Sequence, residues 1–204
     1  MCRSTAKLLS VVSALLFLVS SGSAWSASCN KIGYGWDHSC AITTGGALKC
    51  WGSNGSMIGG QLGNGSTTSS STPVDVLTLS SGVQAVSGGS SHTCAILSTG
   101  GVKCWGVGSG GELGDGTSTF MQTSPANYVS GLSSGVQAIA AGENHTCALT
   151  TGGGVKCWGQ HGSGQLGNGG AMGTGSNVPV NVSGLTSGVQ KIASGGANSC
   201  ALTT

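Results

Sequence analysis

Short stretches of alternating apolar and polar residues recur along the chain and predict β-strands. In one such unit, Val136–Ala140 alternates apolar with polar or small residues, as a half-buried strand does. His145–Thr150 and Val155–Trp158 are two further extended segments, joined by a glycine-rich turn. A fourth segment, Pro179–Val182, begins at a proline, which suits an edge strand or the first residue of a strand. Helical periodicity is not sustained after the N-terminal segment, so we expect an all-β chain.

These segments belong to a repeat. A His-x-Cys or Asn-x-Cys motif recurs at Cys40, Cys94, Cys147 and Cys200, with spacings of 54, 53 and 53 residues. Tryptophans, prolines and Leu-Gly motifs recur with nearly the same spacing. A fixed period of this size with four short strands in each unit is typical of a β-propeller blade. We therefore expect about three complete four-stranded blades and part of a fourth.

The recurring motifs G-x-x-H-[ST]-x-A-[LI], G-x-x-x-W-G and G-[QE]-L-G-x-G resemble the repeat of the RCC1 (regulator of chromosome condensation) family. The resemblance runs from about Lys31 to the C-terminus and implies a β-propeller, usually of seven blades. Seven blades at this period need roughly 370 residues, so we expect a truncated fragment of such a ring. The nucleotide-exchange activity of the family's namesake is not carried over, because a shared fold does not imply a shared function.

Two cysteines of each complete copy face each other across the predicted hairpin. With Cys147 opposite Cys157, Ala148 lies opposite Lys156, and the second copy has the same register. Directly opposed residues are close enough for a cross-strand disulfide, and an oxidising compartment favours the bond. We predict three disulfides and leave two cysteines without an assigned partner. The predicted pairs are Cys40–Cys50, Cys94–Cys104 and Cys147–Cys157, and the remaining cysteines are Cys29 and Cys200.

A metal site is the alternative for the same residues, because a His-x-Cys pair and a facing cysteine offer three ligands. Structural zinc sites, however, favour close Cys-x₂₋₄-Cys pairs and four ligands, and Asn198 replaces the histidine in the fourth copy. We therefore predict no metal and no other cofactor. We expect His38, His92 and His145 to bond to backbone groups of a neighbouring turn.

The recurring tryptophans Trp51, Trp105 and Trp158 allow two interpretations, an aromatic sugar-binding surface or packing between blades. We favour packing, because repeats must bury a continuous core. The copies differ more in their loops: Ser53–Gly60 is three residues longer than Val107–Gly111. Variable loops on a rigid scaffold are where recognition usually resides, so we expect binding to occur there.

The N-terminus predicts export. Arg3 and Lys7 form a basic region before an apolar stretch, Leu8–Ser20, and small residues then allow cleavage after Ala24. Residues 1–24 are therefore predicted to be a signal peptide and residues 25–204 a partial propeller that is secreted or otherwise extracytoplasmic. Without residues 1–24, five basic and five acidic residues remain. Because clustered Lys and Arg are absent, we predict neither a nucleic-acid partner nor membrane attachment after cleavage.

No catalytic motif is present: the sequence lacks a Gly-x-Ser-x-Gly elbow, a His-Glu-x-x-His pair and a Walker loop. We therefore predict a secreted scaffold that binds a protein or glycan through its blade loops and is not an enzyme. Two alternatives stay open. One is an extracytoplasmic enzyme, or a domain associated with one, whose active residues lie in a missing part. The other is a metal-binding His/Cys repeat protein.

Overall fold

The computed structural model describes residues 31–55 and 59–204, and every regular element within those ranges is a β-strand. In chain order the strands are β1 (Ile32–Tyr34), β2 (His38–Ile42), β3 (Leu48–Gly52), β4 (Ser70–Asp75), β5 (Val83–Gly88), β6 (His92–Leu97), β7 (Val102–Val107), β8 (Met121–Gln122), β9 (Val136–Ala141), β10 (His145–Thr150), β11 (Val155–Gly159), β12 (Ser176–Asn181), β13 (Val189–Ser194) and β14 (Ser199–Thr203). In this described part of the chain, no helix has the length and apolar character needed to span a membrane.

The strands pair in sequence order as antiparallel meanders. Strands β1–β4, β5–β8 and β9–β12 form three four-stranded sheets, here called blades 1, 2 and 3, and β13 and β14 form a two-stranded blade 4. The expectation of three complete blades and part of a fourth is confirmed. Pro179 lies inside β12 rather than at its start, which an edge strand tolerates because the missing N–H can face outward.

The hairpin registers agree with those predicted from the sequence. Cys147 lies opposite Cys157 and Ala148 opposite Lys156 in blade 3, and the hairpins of blades 1 and 2 repeat this pairing. Because side chains alternate between the two faces of a strand, this register fixes which residues of each hairpin contact the preceding blade and which contact the following one.

The first strand of each blade lies at the centre of the molecule. β1 contacts β5, β5 contacts β9, and β9 contacts β13, whereas β4, β8 and β12 form the outer edges of their sheets. Such a radial arrangement of four-stranded meanders around their first strands is a β-propeller. The turns between the first and second strands consequently converge near the propeller axis.

The core is built between blades. The indole of Trp105 on blade 2 is fully buried in a cluster with Leu62, Val76 and Leu79 of blade 1. Trp158 on blade 3 occupies the same place in a cluster of blade 2, made by Leu113, Val129 and Leu132. Packing between blades, predicted for the recurring tryptophans, is therefore confirmed for these two.

The indoles of Trp105 and Trp158 contact the Leu-Gly motif of the preceding blade and limit which residues it can contain. Trp105 Nε1 donates to the carbonyl of Gln61 at 3.0 Å, and Trp158 Nε1 donates to that of Glu112 at 2.8 Å. A Cβ added to Gly63 or Gly114 would lie 2.6 Å from the indole nitrogen, and both glycines have positive φ. Only glycine therefore fits after the buried leucine of each motif.

Candidate binding site at the propeller axis

The turns that meet at the axis carry different residues in every blade. Each turn begins with a glycine and ends, three residues later, at a buried histidine in blades 1 to 3 or at Asn198 in blade 4. The two residues between differ from blade to blade, although the flanking motif repeats. They are Trp36-Asp37, Ser90-Ser91, Glu143-Asn144 and Gly196-Ala197.

The glycine of each turn makes room for the histidine ring. A Cβ on Gly35 would lie 2.6 Å from Nδ1 of His38, and a Cβ on Gly89 would lie 2.5 Å from Nδ1 of His92. No real Cβ tolerates such contacts with a fixed ring. The Gly-x-x-His spacing is therefore a steric requirement, because the Cε1–Nδ1 edge of the ring packs against the glycine of its own turn.

The histidines join neighbouring blades. His38 Nε2 lies 2.8 Å from Oγ1 of Thr93, and His92 Nε2 lies 2.9 Å from Oγ1 of Thr146. His145 makes the corresponding bond to Oγ of Ser199 at 2.7 Å. The expectation that these rings bond to backbone groups is thus wrong, because their partners are side-chain hydroxyls of the next blade.

The hydroxyl partner determines the tautomer of His38. Thr93 Oγ1 donates its one proton to the carbonyl of Gln61 at 2.8 Å, so His38 Nε2 must be the donor in the bond between them. Nδ1 of His38 is then unprotonated, and it has no hydrogen-bond partner where it lies against Gly35. A neutral imidazole therefore fits the site, and a second proton would be buried without an acceptor.

Burial keeps these rings neutral. Desolvation lowers the pKa of His38 to about 4, although the nearby Asp37 carboxylate opposes the shift, and it lowers the pKa of His145 to about 4. The pKa of His92 falls to about 3, because burial is reinforced by repulsion from His38 and His145. The contacts between blades at the axis are therefore made by uncharged histidines at neutral pH.

The axial turns also bond to one another through their backbones. The N–H of Trp36 donates to the carbonyl of Gly89 at 3.3 Å, and that of Ser90 donates to the carbonyl of Glu143 at 3.0 Å. Glu143 in turn donates to the carbonyl of Gly196 at 2.9 Å. These bonds link the turns of all four blades into one continuous platform that positions the variable side chains.

Aromatic residues of blade 1 dominate the exposed side of this platform. Tyr34 is 76% exposed and Trp36 70% exposed, and both line a cavity of about 230 Å³ together with Ser90 and Glu143. A second cavity, of about 220 Å³, lies along the inner strands and includes Ile32, which is 65% exposed. Large exposed aromatic side chains beside a concave surface are typical of a binding site.

The loops predicted to carry recognition also connect strands and blades. Asn54 and His161 are buried at equivalent places, where they accept the backbone N–H groups of Leu62 and Leu166. Residues 56–58 of the first loop lie outside the described ranges. Sequence reasoning missed Tyr34 and Trp36, although a change of residue type inside an otherwise constant motif was an available signal.

The cysteines of the three complete hairpins face each other as predicted. Their sulfur atoms lie at disulfide-bonding distance, and the Cα atoms are separated by 4.0 Å at Cys40–Cys50 and by 4.1 Å in the other two pairs. Among the described residues Cys200 lies outside these pairs and is exposed. Cys29 and the predicted signal peptide lie outside the described ranges. Within those ranges, no three His, Cys, Asp or Glu side chains are grouped to hold a metal ion.

Comparison with known proteins agrees with this geometry. The model of the regulator of chromosome condensation (RCC1) repeat matches residues 46–96, 99–149 and 153–202. The human "E3 ubiquitin-protein ligase HERC2" is 35% identical over 173 residues, which are 83% of this chain and 4% of that protein. The "Ultraviolet-B receptor UVR8" of Arabidopsis thaliana is 34% identical over 141 residues, 68% of this chain and 31% of that protein.

Among solved structures, yeast RCC1 (Prp20), crystallised bound to Kap60, superposes with a TM-score of 0.72 at 19% identity. The match covers 84% of this chain and 41% of Prp20. The molecule is thus a β-propeller built from repeated blades. More specifically, the chain belongs to the RCC1 repeat family. It spans less than half the length of each of these three proteins, so their activities do not transfer with the fold.

Proposed function

We propose that this chain is an exported, non-catalytic binding module that contacts a protein partner through the aromatic axial face formed by Tyr34 and Trp36. The observation that carries the proposal is that the two central residues of each axial turn differ from blade to blade, whereas the backbone of the turn repeats. Fixed turns with interchangeable side chains allow recognition to vary without loss of the fold.

The energetics of interfaces favour this face. Tryptophan and tyrosine are the side chains most often found at the centres of binding energy, because they bury a large area with few rotatable bonds. Trp36 is held by the hydrogen bond of its own N–H to blade 2, so little backbone freedom is lost on binding. The carboxylate of Glu143 on the same cavity adds a polar contact that can orient the partner.

Export is supported by two features of the chain. Its first residues have the charge and hydrophobic pattern of a signal peptide. Its three hairpins bring cysteines together at a distance that an oxidising compartment converts into disulfides. We propose that these bonds stabilise each blade outside the cytoplasm.

Site-specific photo-crosslinking tests the axial face. A photoreactive phenylalanine analogue at position 36 is compared with one at position 120, because Phe120 is also exposed, at 54%. Position 36 should give a discrete adduct from the producing organism's extracellular fraction, and position 120 should not. Once the partner is purified, Trp36→Ala should weaken binding at least tenfold and Phe120→Ala should not change it.

The same variants distinguish a glycan from a protein. A carbohydrate stacked on the aromatic rings, rather than a protein, would be the partner if glycosidase treatment removed the adduct and if oligosaccharides bound the native chain but not Trp36→Ala. Equal crosslinking from both positions, or unchanged affinity in Trp36→Ala, would overturn the proposal for this face.

A further inference from the structure

A polar cavity of about 450 Å³ lies between the loops of blades 2 and 3 and is here called the loop cavity. One wall is made by residues 109–111 and Ser118 of blade 2, on the loop between β7 and β8. The other wall is made by residues 175–177 of blade 3, where β12 begins. Both blades are four-stranded sheets, and the volume of the cavity lies in the range that is usual for ligand sites.

The loop cavity opens where a glycine of blade 3 stands in the place of a methionine of blade 2. The strand registers make Met121 of β8 and Gly175, the residue before β12, equivalent positions. Between blades 1 and 2, the sulfur of Met121 accepts the N–H of Gly59 at 3.2 Å. Between blades 2 and 3, the equivalent N–H of Gly110 donates instead to Oε2 of Glu112 at 2.8 Å. Because Gly175 has no side chain, the space that the methionine occupies in one interface is left open in the other.

The two walls of the loop cavity are joined by hydrogen bonds. Nδ2 of Asn177 donates to the carbonyl of Gly116 at 3.0 Å, and the N–H of Gly116 donates to the carbonyl of Asn177 at 2.9 Å. In the wall of blade 2, the N–H of Gly111 donates to the carbonyl of Gly108 at 3.0 Å. These bonds hold the backbone on both sides, so a ligand enters a preformed cavity and binding orders little of the chain.

The lining of the loop cavity offers hydrogen-bond donors and acceptors but no charge. Ser109 and Ser118 are exposed, and their hydroxyls can both donate and accept. Oδ1 of Asn177 can accept, because it is Nδ2 that bonds to Gly116. Among the described residues that line the cavity, none is acidic, basic or aromatic. A charged ligand would lose its hydration without meeting an opposite charge, and an apolar ligand would cover unpaired polar groups. The lining therefore suits a neutral ligand that is rich in hydroxyl groups.

We propose that the loop cavity binds a neutral carbohydrate, at a site separate from the axial face. Sugar hydroxyls bond to the serine hydroxyls and to the amide oxygen of Asn177, and the glycines of both walls allow the sugar to approach the backbone closely. The cavity lies at the same end of the strands as the axial turns, because the glycines that precede the two loops lie opposite His92 and His145. One face of the blades thus carries both binding sites.

Saturation-transfer NMR tests the class of ligand. The probes are maltotriose, mannotriose and chitotriose, each titrated into the full chain, and spermidine serves as a cationic probe. At least one trisaccharide should bind saturably, and spermidine should not bind. Binding of spermidine alone, or of no trisaccharide, would overturn the proposal.

Variants that fill the loop cavity test its location. Ser109→Phe and Ser118→Phe introduce a ring from two different parts of the wall, and each should weaken trisaccharide binding at least tenfold. Ser81→Phe makes the same exchange at an exposed position between β4 and β5, so it is the matched control and should bind as the native chain does. All three variants should retain the native circular dichroism spectrum. Unchanged affinity in both filling variants, or an equal loss in Ser81→Phe, would overturn the assignment.

Trp36→Ala distinguishes the loop cavity from the axial face. Trp36 lines the axial cavity and not the loop cavity, so its removal should leave the affinity for the trisaccharide unchanged. Loss of trisaccharide binding in Trp36→Ala, together with native affinity in Ser109→Phe, would place the carbohydrate on the axial face and would contradict the proposal.

Discussion

Nε2 of His92 and Oγ1 of Thr146 lie 2.9 Å apart in the interface between blades 2 and 3, and both side chains are almost completely buried. The bond recurs one blade earlier between His38 and Thr93. Each histidine belongs to one blade and its hydroxyl partner to the next, so each of these hydrogen bonds joins two neighbouring blades. This His–Thr hydrogen bond is called the joint between the blades. The stability of the whole array therefore depends on the protonation of a few buried rings.

Acid should weaken this joint. The histidines have a pKa near 6.5 when unfolded and about 3 to 4 when folded, so the unfolded chain binds more protons below pH 6.5. Stability is then fully present above pH 6.5 and is lost as the pH falls toward the folded pKa. At pH 5 the loss is about 2 kcal/mol for each histidine. Urea unfolding at pH 8 and pH 5 measures the difference.

The variant His92→Asn isolates one ring, because asparagine already takes this place at position 198. Its loss between pH 8 and pH 5 should be smaller than that of the native chain by about 2 kcal/mol. Glu112→Gln is the control. Burial raises the pKa of Glu112, an effect of opposite sign, and removing it should leave the acid sensitivity in place. An unchanged pH dependence in His92→Asn would contradict this account of the joint.

Removing the hydroxyl should also weaken the joint at neutral pH. Thr146→Val keeps the shape of the side chain but leaves Nε2 of His92 buried without a partner. Such an unsatisfied group costs about 1 to 3 kcal/mol. Thr186→Val, at an exposed position, should change the free energy of unfolding by less than about 0.5 kcal/mol. Equal values for the two variants in urea unfolding would count against the bond.

The three cysteine pairs should be oxidised in the exported protein. Alkylation followed by intact-mass measurement should label the six hairpin cysteines only after reduction. Because each bond closes a short loop, replacing Cys147 and Cys157 together by alanine should cost about 2 to 3 kcal/mol. Labelling of these cysteines without prior reduction would show that the three disulfides do not form.

The strands and hairpins of the blades could be predicted from the sequence, because the patterns that determine them are local and recur in every repeat. Alternation located β9 and β10 within one residue, and the shared spacing of Cys147 and Cys157 determined the hairpin register. The partners of the histidines were not predictable in this way. The hydroxyl of Thr146 lies 54 residues from His92, and only the packing of one blade on the next brings the two together.

The exposure of Trp36 at the propeller axis could not be predicted from the sequence either. Trp36 and Trp51 are both tryptophans in blade 1, yet only Trp51 belongs to the repeat. Whether a side chain is covered depends on the neighbouring blade, which the pattern of a single strand does not contain. Packing between blades was therefore predictable for the recurring tryptophans. The exposure of the isolated Trp36 follows only from how the axial turns are arranged in the structure.

The recurring tryptophans differ in burial, so their removal should destabilise the protein to different extents. Trp105 and Trp158 are completely buried between blades and donate to a carbonyl, whereas Trp51 is only partly buried in the described structure. Trp105→Ala should therefore lower the free energy of unfolding by about 3 to 5 kcal/mol, the usual cost of emptying a large core site. Trp51→Ala should cost about 1 kcal/mol, because less area is removed from a site that water already reaches. Urea unfolding monitored by circular dichroism compares them, and similar losses would mean that Trp51 is covered in solution.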